Sequence, residues 1–269
     1  MSVPADSARN DSLSLRRGLA LLDAVREAAG PAHGISTNEL AVRLGVHRSS
    51  VARLLAPLVD HRLLRRDASG RYHLGDGVLR LGQAYLAGLD LTSVAAPHLR
   101  ALAARTEGTC LLVEPADVHV RRLDTVEAAP LVRMASRHAD RLPMHCTASG
   151  KAVLSVAPAA WIDRVIATGL HAVTPRTITD PAELRAELAR TRKRGFAIED
   201  QEHEPEIRSV AAPVFNQVGD VVAAVSVATL VARMPPETLR ATALAVIDTA
   251  RALSAEMGAA RGPATPRKA

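Results

Sequence analysis

The segment from Ser36 to Leu74 constrains this chain more than any other. It reads STNELAVRLGV, then HRSSVARLLAPLVDHRLLRR, then DASGRYHL. Ser36 followed by Glu39 is a capping box, in which two orphan amides at a helix start are satisfied reciprocally. Leu40, Ala41 and Leu44 give that first helix one apolar face, and Gly45 is placed to end it. Val46, Val51, Leu54, Leu55 and Leu58 then recur at helical spacing, leaving His47, Arg48, Ser50 and Arg53 on the polar side. Arg65, Arg66 and Asp67, with Gly70 to Leu74, read as a small hairpin turning at Ala68-Ser69-Gly70. Helix, tight turn, second helix and basic hairpin are the parts of a winged helix-turn-helix. A helix whose first turn presents Arg and hydroxyls suits a major groove, where Arg pairs bidentately with guanine. Thr37, His47, Arg48, Ser49, Ser50 and Arg53 are therefore expected at DNA, with Arg66 and Arg71 of the hairpin on phosphate.

Charge is distributed to match. The chain of 269 residues carries a formal net charge of +6. Between Arg43 and His73 stand seven arginines against two acids, Asp60 and Asp67, a local net charge of +5. Such a concentration is what phosphate neutralisation needs.

The length implies two domains. Apolar residues make up 48% of the chain but aromatics 2%, so the cores must be built of Ala, Leu and Val. Met1 to Ser14 is polar and lacks a secretory pattern. The longest apolar run, Val221 to Ala232, is too short to cross a bilayer and reads as a buried strand. Cys110 and Cys146 make no disulfide framework, which fits a reducing, cytoplasmic compartment without membrane attachment.

Residues 1–12 and 259–269 are expected to be disordered tails. The DNA-binding domain should span 13–75, opened by an amphipathic helix from Leu13 to Ala29 that Gly30-Pro31 stops. A linker helix follows within 76–92, and a mixed α and β domain occupies 93–258. In that domain Val94 to Arg105 is helical. Thr109 to Val113 and Val118 to Leu123 read as strands turning at Pro115-Ala116-Asp117, and Leu131 to Met134 as another. Thr147 to Val156 is a small-residue helix. Asp180-Pro181 opens a further helix, with Glu183 completing a box and Gly195 ending it. Phe196 to Glu199, Val210 to Phe215 and Val221 to Thr229 are strands, and Pro235-Pro236 starts a last helix running to about Met257.

Four features of the second domain converge on a small anionic ligand. Ala148, Ser149 and Gly150 begin a helix, where free amides and the helix dipole favour a carboxylate. Alternation puts Val222, Ala224, Ser226 and Ala228 on one strand face, small enough to leave room. Ser209 offers a hydroxyl on the neighbouring strand, and Glu199 ends another. Lys151 after Gly150 resembles a nucleotide-loop fragment, but His145 stands where that loop needs Gly. Two other classes compete. Cys146 beside His145 suggests a thiol enzyme, although adjacent residues rarely align as nucleophile and base. An architectural DNA-binding protein would not need the second domain. Cys110, Cys146, His145 and His203 lack the close pairs that nucleate a metal site, so neither metal nor cofactor is expected.

Taken together, the chain resembles the IclR family of bacterial transcriptional regulators from about Leu13 to Met257. The strongest blocks are SRHADRLPMHCTASGKAVLS (Ser136 to Ser155), LHAVTPRTITDPAELRAEL (Leu170 to Leu188) and RGFAIEDQEHEPEIRSVAAPVF (Arg194 to Phe215), followed by VVAAVSVA. The resemblance implies an α+β protein: a winged helix-turn-helix, a linker helix, and a GAF-like effector domain with a curved antiparallel sheet and flanking helices. It implies a homodimer or dimer of dimers on an imperfect inverted repeat of double-stranded DNA, acting here as a repressor that senses a small organic acid. In the family the effector pocket uses the helix start at Ala148, Ser149 and Gly150, with the positions of Glu199, Ser209, Ser226 and Ala228. Ala228 lacks the hydroxyl usual there, which favours a larger or more apolar acid. Two further departures bear on the wing. Pro57 falls inside the reading helix and should kink it, and His61-Arg62 replaces a Gly that permits a left-handed turn.

Overall fold

A computed structural model describes residues 12–28, 34–88, 90–127 and 140–259. They form two compact units divided between Leu89 and Asp90.

The first unit contains helices α1 (Leu13–Glu27), α2 (Thr37–Leu44) and α3 (Arg48–Asp60), strands β1 (Leu64–Arg66) and β2 (Tyr72–Leu74), and helix α4 (Asp76–Ala87). Ser36 and Glu39 make both bonds of the capping box, and Gly45 ends α2 in the left-handed region at φ 61°. There a side chain would cost about 1–2 kcal/mol. Leu21, Val25, Leu40, Val51, Leu55 and Leu64 are fully buried together, one apolar stripe from each helix closing on the hairpin. Each such side chain contributes roughly 1.5–3 kcal/mol on leaving water. The hairpin gains a third partner where Ile35 bridges Tyr72.

Two positions of the reading helix and its exit bear on the wing. Helix α3 runs through Pro57 without interruption to Asp60. Pro57 lies on the exposed side of the helix, in its last two turns. Arg62 does adopt the left-handed turn usually given to Gly, at φ 58°. Its carbonyl then accepts the Gly77 amide at 2.8 Å, tying the start of α4 to the wing.

The second unit contains α5 (Leu91–Thr106), β3 (Thr109–Ala116), β4 (His119–Val126), β5 (Arg141–Pro143), α6 (Ala148–Val156), α7 (Ala159–Ala167), α8 (Pro181–Arg194), β6 (Ala197–Asp200), β7 (Ile207–Phe215), β8 (Val221–Leu230) and α9 (Pro236–Glu256). The strands form one antiparallel sheet in the order β5-β4-β3-β8-β7-β6. Its two faces bury different cores. Cys110, Leu112, Val210, Ala212, Val225 and Val227 face α5 and α9. Leu111, Val113, Ala197, Ala211 and Ala224 face α6 and α8. This is the α+β, winged-helix and helix-flanked-sheet class expected from the sequence.

Strand limits differ in places. β3 and β4 are longer than expected, and Pro115 and Ala116 lie within β3, leaving the turn to Asp117 at φ 56°. Pro115 is tolerated because β8 pairs with β3 no further than Val113, so its missing amide faces no neighbour. β7 begins at Ile207, which puts Ser209 inside the strand. Strand β5 and helix α7 were not anticipated. The expected strand at Leu131 to Met134 lies outside the described residues.

Candidate functional site

The candidate reading surface is the exposed face of α3. Val51 and Leu55 are buried, while Arg48, Ser49, Ala52, Arg53, Ala56 and Pro57 are exposed. Exposed arginines therefore alternate with small residues, and the backbone of this face can approach a groove closely. Arg48 and Arg53 make no ion pair among the described residues. Ser50 is half-buried at the edge of this face, and Thr37, first residue of α2, is likewise half-buried. His47 is the exposed N-cap of α3 and makes no side-chain capping bond, so the first amides of that helix are uncovered.

The wing is cross-braced. Asp67 accepts the amides of Ser69 at 2.9 Å and Arg71 at 3.0 Å, and meets His73 Nε2 at 2.7 Å. Its carboxyl is held well below the usual range, first by the Ser69 hydroxyl and then by His73. Arg66 is exposed, with its guanidinium 5.7 Å from the Tyr72 ring centre. Arg71 has partners within the protein that its position in the hairpin does not announce. It donates to both oxygens of Glu39 at 3.0 and 2.9 Å, and its Nε binds the Gly34 carbonyl. The pair is at the surface, and the Arg71 side chain stays 38% exposed.

In the second unit, alternation on β8 directs Ala224, Ser226 and Ala228 toward α6. Ser226 pairs with Ala211 and Leu111, and Ala228 with Ser209 and Thr109. Glu199 pairs with Ser209 in the next register, so Glu199, Ser209 and Ala228 form one row across three strands. Glu199 is 3% exposed, and Ser209 donates its hydroxyl to Glu199 Oε2. The His203 amide reaches Oε1 at 3.3 Å. Burial pushes the Glu199 carboxyl up to about 7, with Ser209 and His203 acting against that rise.

The start of α6 is less open than expected. Thr147 caps it, and the Gly150 amide already donates to Thr147 Oγ1 at 3.1 Å. A Cβ on Gly150 would fall 2.3 Å from Met144 Cα, so this glycine serves close backbone packing. The amides of Ala148 and Ser149 are the ones left for a ligand at this end. Ala148 and Ser149 are themselves buried.

Sequence reasoning missed the strongest polar feature here. Lys151 is 1% exposed and its ammonium meets Glu202 Oε1 in a buried ion pair. Periodicity could not reveal this, because the partner lies 51 residues away. The thiol-enzyme arrangement is not assembled. His145 Nε2 binds the His171 carbonyl at 3.0 Å, and burial pushes the Cys146 thiol up to about 12, where it is not a nucleophile at neutral pH. Cys110 is buried on the opposite face of the sheet. No helix among the described residues is long and apolar enough to cross a membrane.

A capped two-helix reader with a braced wing, joined in one chain to a domain holding a buried polar site, defines a transcriptional regulator of the winged-helix class. The IclR helix-turn-helix domain profile matches residues 14–68, and that of the bacterial transcriptional regulator IclR C-terminal domain matches 83–255. The chain belongs to the IclR family. It is 30% identical over 254 residues to the HTH-type transcriptional repressor AllR of Klebsiella pneumoniae, covering 94% of this chain and 92% of that protein. It is 29% identical over 252 residues to the transcriptional repressor IclR of Escherichia coli K12, covering 92% and 91% respectively. The crystal structure of Agobacterium tumefaciens repressor BlcR matches with a TM-score of 0.77 at 26% identity, over 91% of this chain and 96% of that one.

Proposed function

We propose that this protein is a repressor that reads an operator with the exposed face of α3 and senses a small organic acid in its second unit. The observation that carries the DNA reading is the pair Arg48 and Arg53, exposed, without ion partners among the described residues, and set among Ala52 and Ala56. Arg66 stands on the wing for phosphate, while Arg71 acts on the wing's position. His47, Ser49, Ser50 and Thr37 complete the contact surface at the two helix starts, and the α3 start, which no side chain caps, suits phosphate.

Self-association belongs to the same reading. Leu13, Leu15 and Leu19 of α1 and Leu79, Leu81 and Tyr85 of α4 are between 55% and 63% exposed. Apolar residues at this density favour burial against a second copy, and two reading helices match two half-sites of an inverted repeat. Work on DNA places the protein in the cytoplasm. It needs no catalytic step, since ligand binding alone can shift a two-state dimer.

In the acid site, the Ala148 and Ser149 amides face the carboxylate, and Ser209, Ser226 and Glu199 hold the polar remainder. Ala228 leaves space beside them. Anisotropy titration of the full-length protein with its own upstream DNA and with a scrambled duplex tests the proposal, run alongside sedimentation. The expected result is a dimer or tetramer that prefers its upstream DNA by at least about a thousandfold. A monomer that binds both duplexes equally would overturn it.

A further inference from the structure

The buried pair of Lys151 and Glu202 is half satisfied on both sides. An ammonium carries three donors and a carboxylate two oxygens, each able to accept. Lys151 Nζ has one partner among the described residues, Glu202 Oε1. Glu202 Oε2 is buried and has no hydrogen-bond partner. Glu202 as a residue is 8% exposed and Lys151 1%, so bulk water does not compensate them. Buried ion pairs repay their desolvation only when the remaining valences are also filled. The position is nevertheless held rigidly. Thr177 donates to the Glu202 carbonyl at 2.6 Å, and Thr174 to the Gln201 carbonyl at 2.6 Å. The amide of His203, the residue after Glu202, donates to Glu199 Oε1 at 3.3 Å, which puts this segment beside the row of Glu199, Ser209 and Ala228.

A ligand that filled both vacant valences would present an acceptor oxygen to Lys151 and, next to it, a hydrogen to Glu202 Oε2. A plain carboxylate offers acceptors alone and would meet Glu202 with repulsion. A 2-hydroxy acid or a ureido acid carries a carbonyl or carboxylate oxygen with an O–H or N–H beside it. We propose that Lys151 and Glu202 form a recognition subsite that selects organic acids bearing such an adjacent donor. This rests on the acid-sensing reading above and narrows its ligand class.

Calorimetry on the full-length protein with matched pairs of acids tests it. One pair is 2-hydroxyisocaproate and its 2-methoxy ether; the other is N-carbamoylalanine and its permethylated urea. In at least one pair the donor-bearing acid should bind about tenfold tighter or more, the effect of a hydrogen bond to a charged buried acceptor. In the Lys151→Met, Glu202→Leu double variant, where apolar side chains replace the pair, that preference should shrink to within twofold. Glu202→Gln, which keeps the shape and gives up the charge, should reduce the preference in the same direction and serves if the double variant does not fold. Equal binding of donor and methylated partners by the unaltered protein would overturn the subsite while leaving acid sensing intact. Failure of all four acids, and of their simple carboxylate parents, to bind at millimolar concentration would overturn acid sensing and the subsite with it.

Discussion

Ser209 donates its hydroxyl to Glu199 from the directly paired position of the neighbouring strand. The bond counteracts, without cancelling, the burial that lifts the Glu199 carboxyl to about 7. The unfolded value lies near 4.5, so the folded state binds this proton more tightly than the unfolded chain. The resulting stability is complete below about 4.5 and is lost as pH rises through about 7. Glu199→Gln should therefore melt much like the unaltered protein at pH 5 and gain on it at pH 8.5, by up to roughly 3 kcal/mol. Glu202 is raised by burial in the same direction, so the difference between the two proteins at each pH is the quantity to measure. Parallel melting curves across that range would refute this account of the row.

On DNA, Arg48→Ala should cost about 1–3 kcal/mol on the operator and relax the base preference at one position. Arg66→Ala should weaken operator and scrambled duplex alike and reduce the slope of log affinity against log salt by about one. Anisotropy titrations at several salt concentrations separate these outcomes. The reverse pattern would mean that α3 does not enter the groove as drawn.

Arg62 holds a left-handed turn at φ 58° that glycine adopts at no steric cost. Arg62→Gly should stabilise the protein by about 0.5–1 kcal/mol, after subtracting the added freedom of the unfolded chain. The exposed contact with Asp76 at 3.7 Å is worth little against this. Urea denaturation reads the shift directly, and a loss of stability would show that the Arg62 side chain matters more than its backbone.

Ser226 lies on the α6 side of β8, between Ala211 and Leu111, and is 3% exposed. Ser226→Val removes the hydroxyl and fills the space. It should abolish the calorimetric response to the acids while operator binding without ligand stays near that of the unaltered protein. Unchanged acid affinity would place the ligand elsewhere.

Much of this was legible because it is local. The capping box at Ser36 and Glu39, the stop at Gly45 and the alternation from Ala224 to Ala228 each depend on neighbours within a few residues, and sequence spacing reports them. Val222, expected on the same face, packs on the α5 and α9 side because the register shifts beside it. β5 has three residues, of which Leu142 alone is buried, so it carries no period to detect. Lys151 draws notice in the sequence only as part of a nucleotide-loop fragment, which His145 excludes, and its true partner Glu202 is 51 residues away. Arg71 went to phosphate on position alone. Its fork with Glu39 joins residues 32 apart, and no pattern within the hairpin announces it.

Glu39 consequently has two employments. It closes the capping box of α2, and it holds Arg71 on the wing. Hydrogen bonds from Ser36 first, and then Arg71, bring its carboxyl down to about 2, so it stays charged at any pH a cell reaches. The start of a helix and one brace of a hairpin thus meet at one surface side chain. A change at Glu39 therefore reaches the cap of α2 and the wing together, whereas a change at Arg71 loosens the wing and leaves the cap in place.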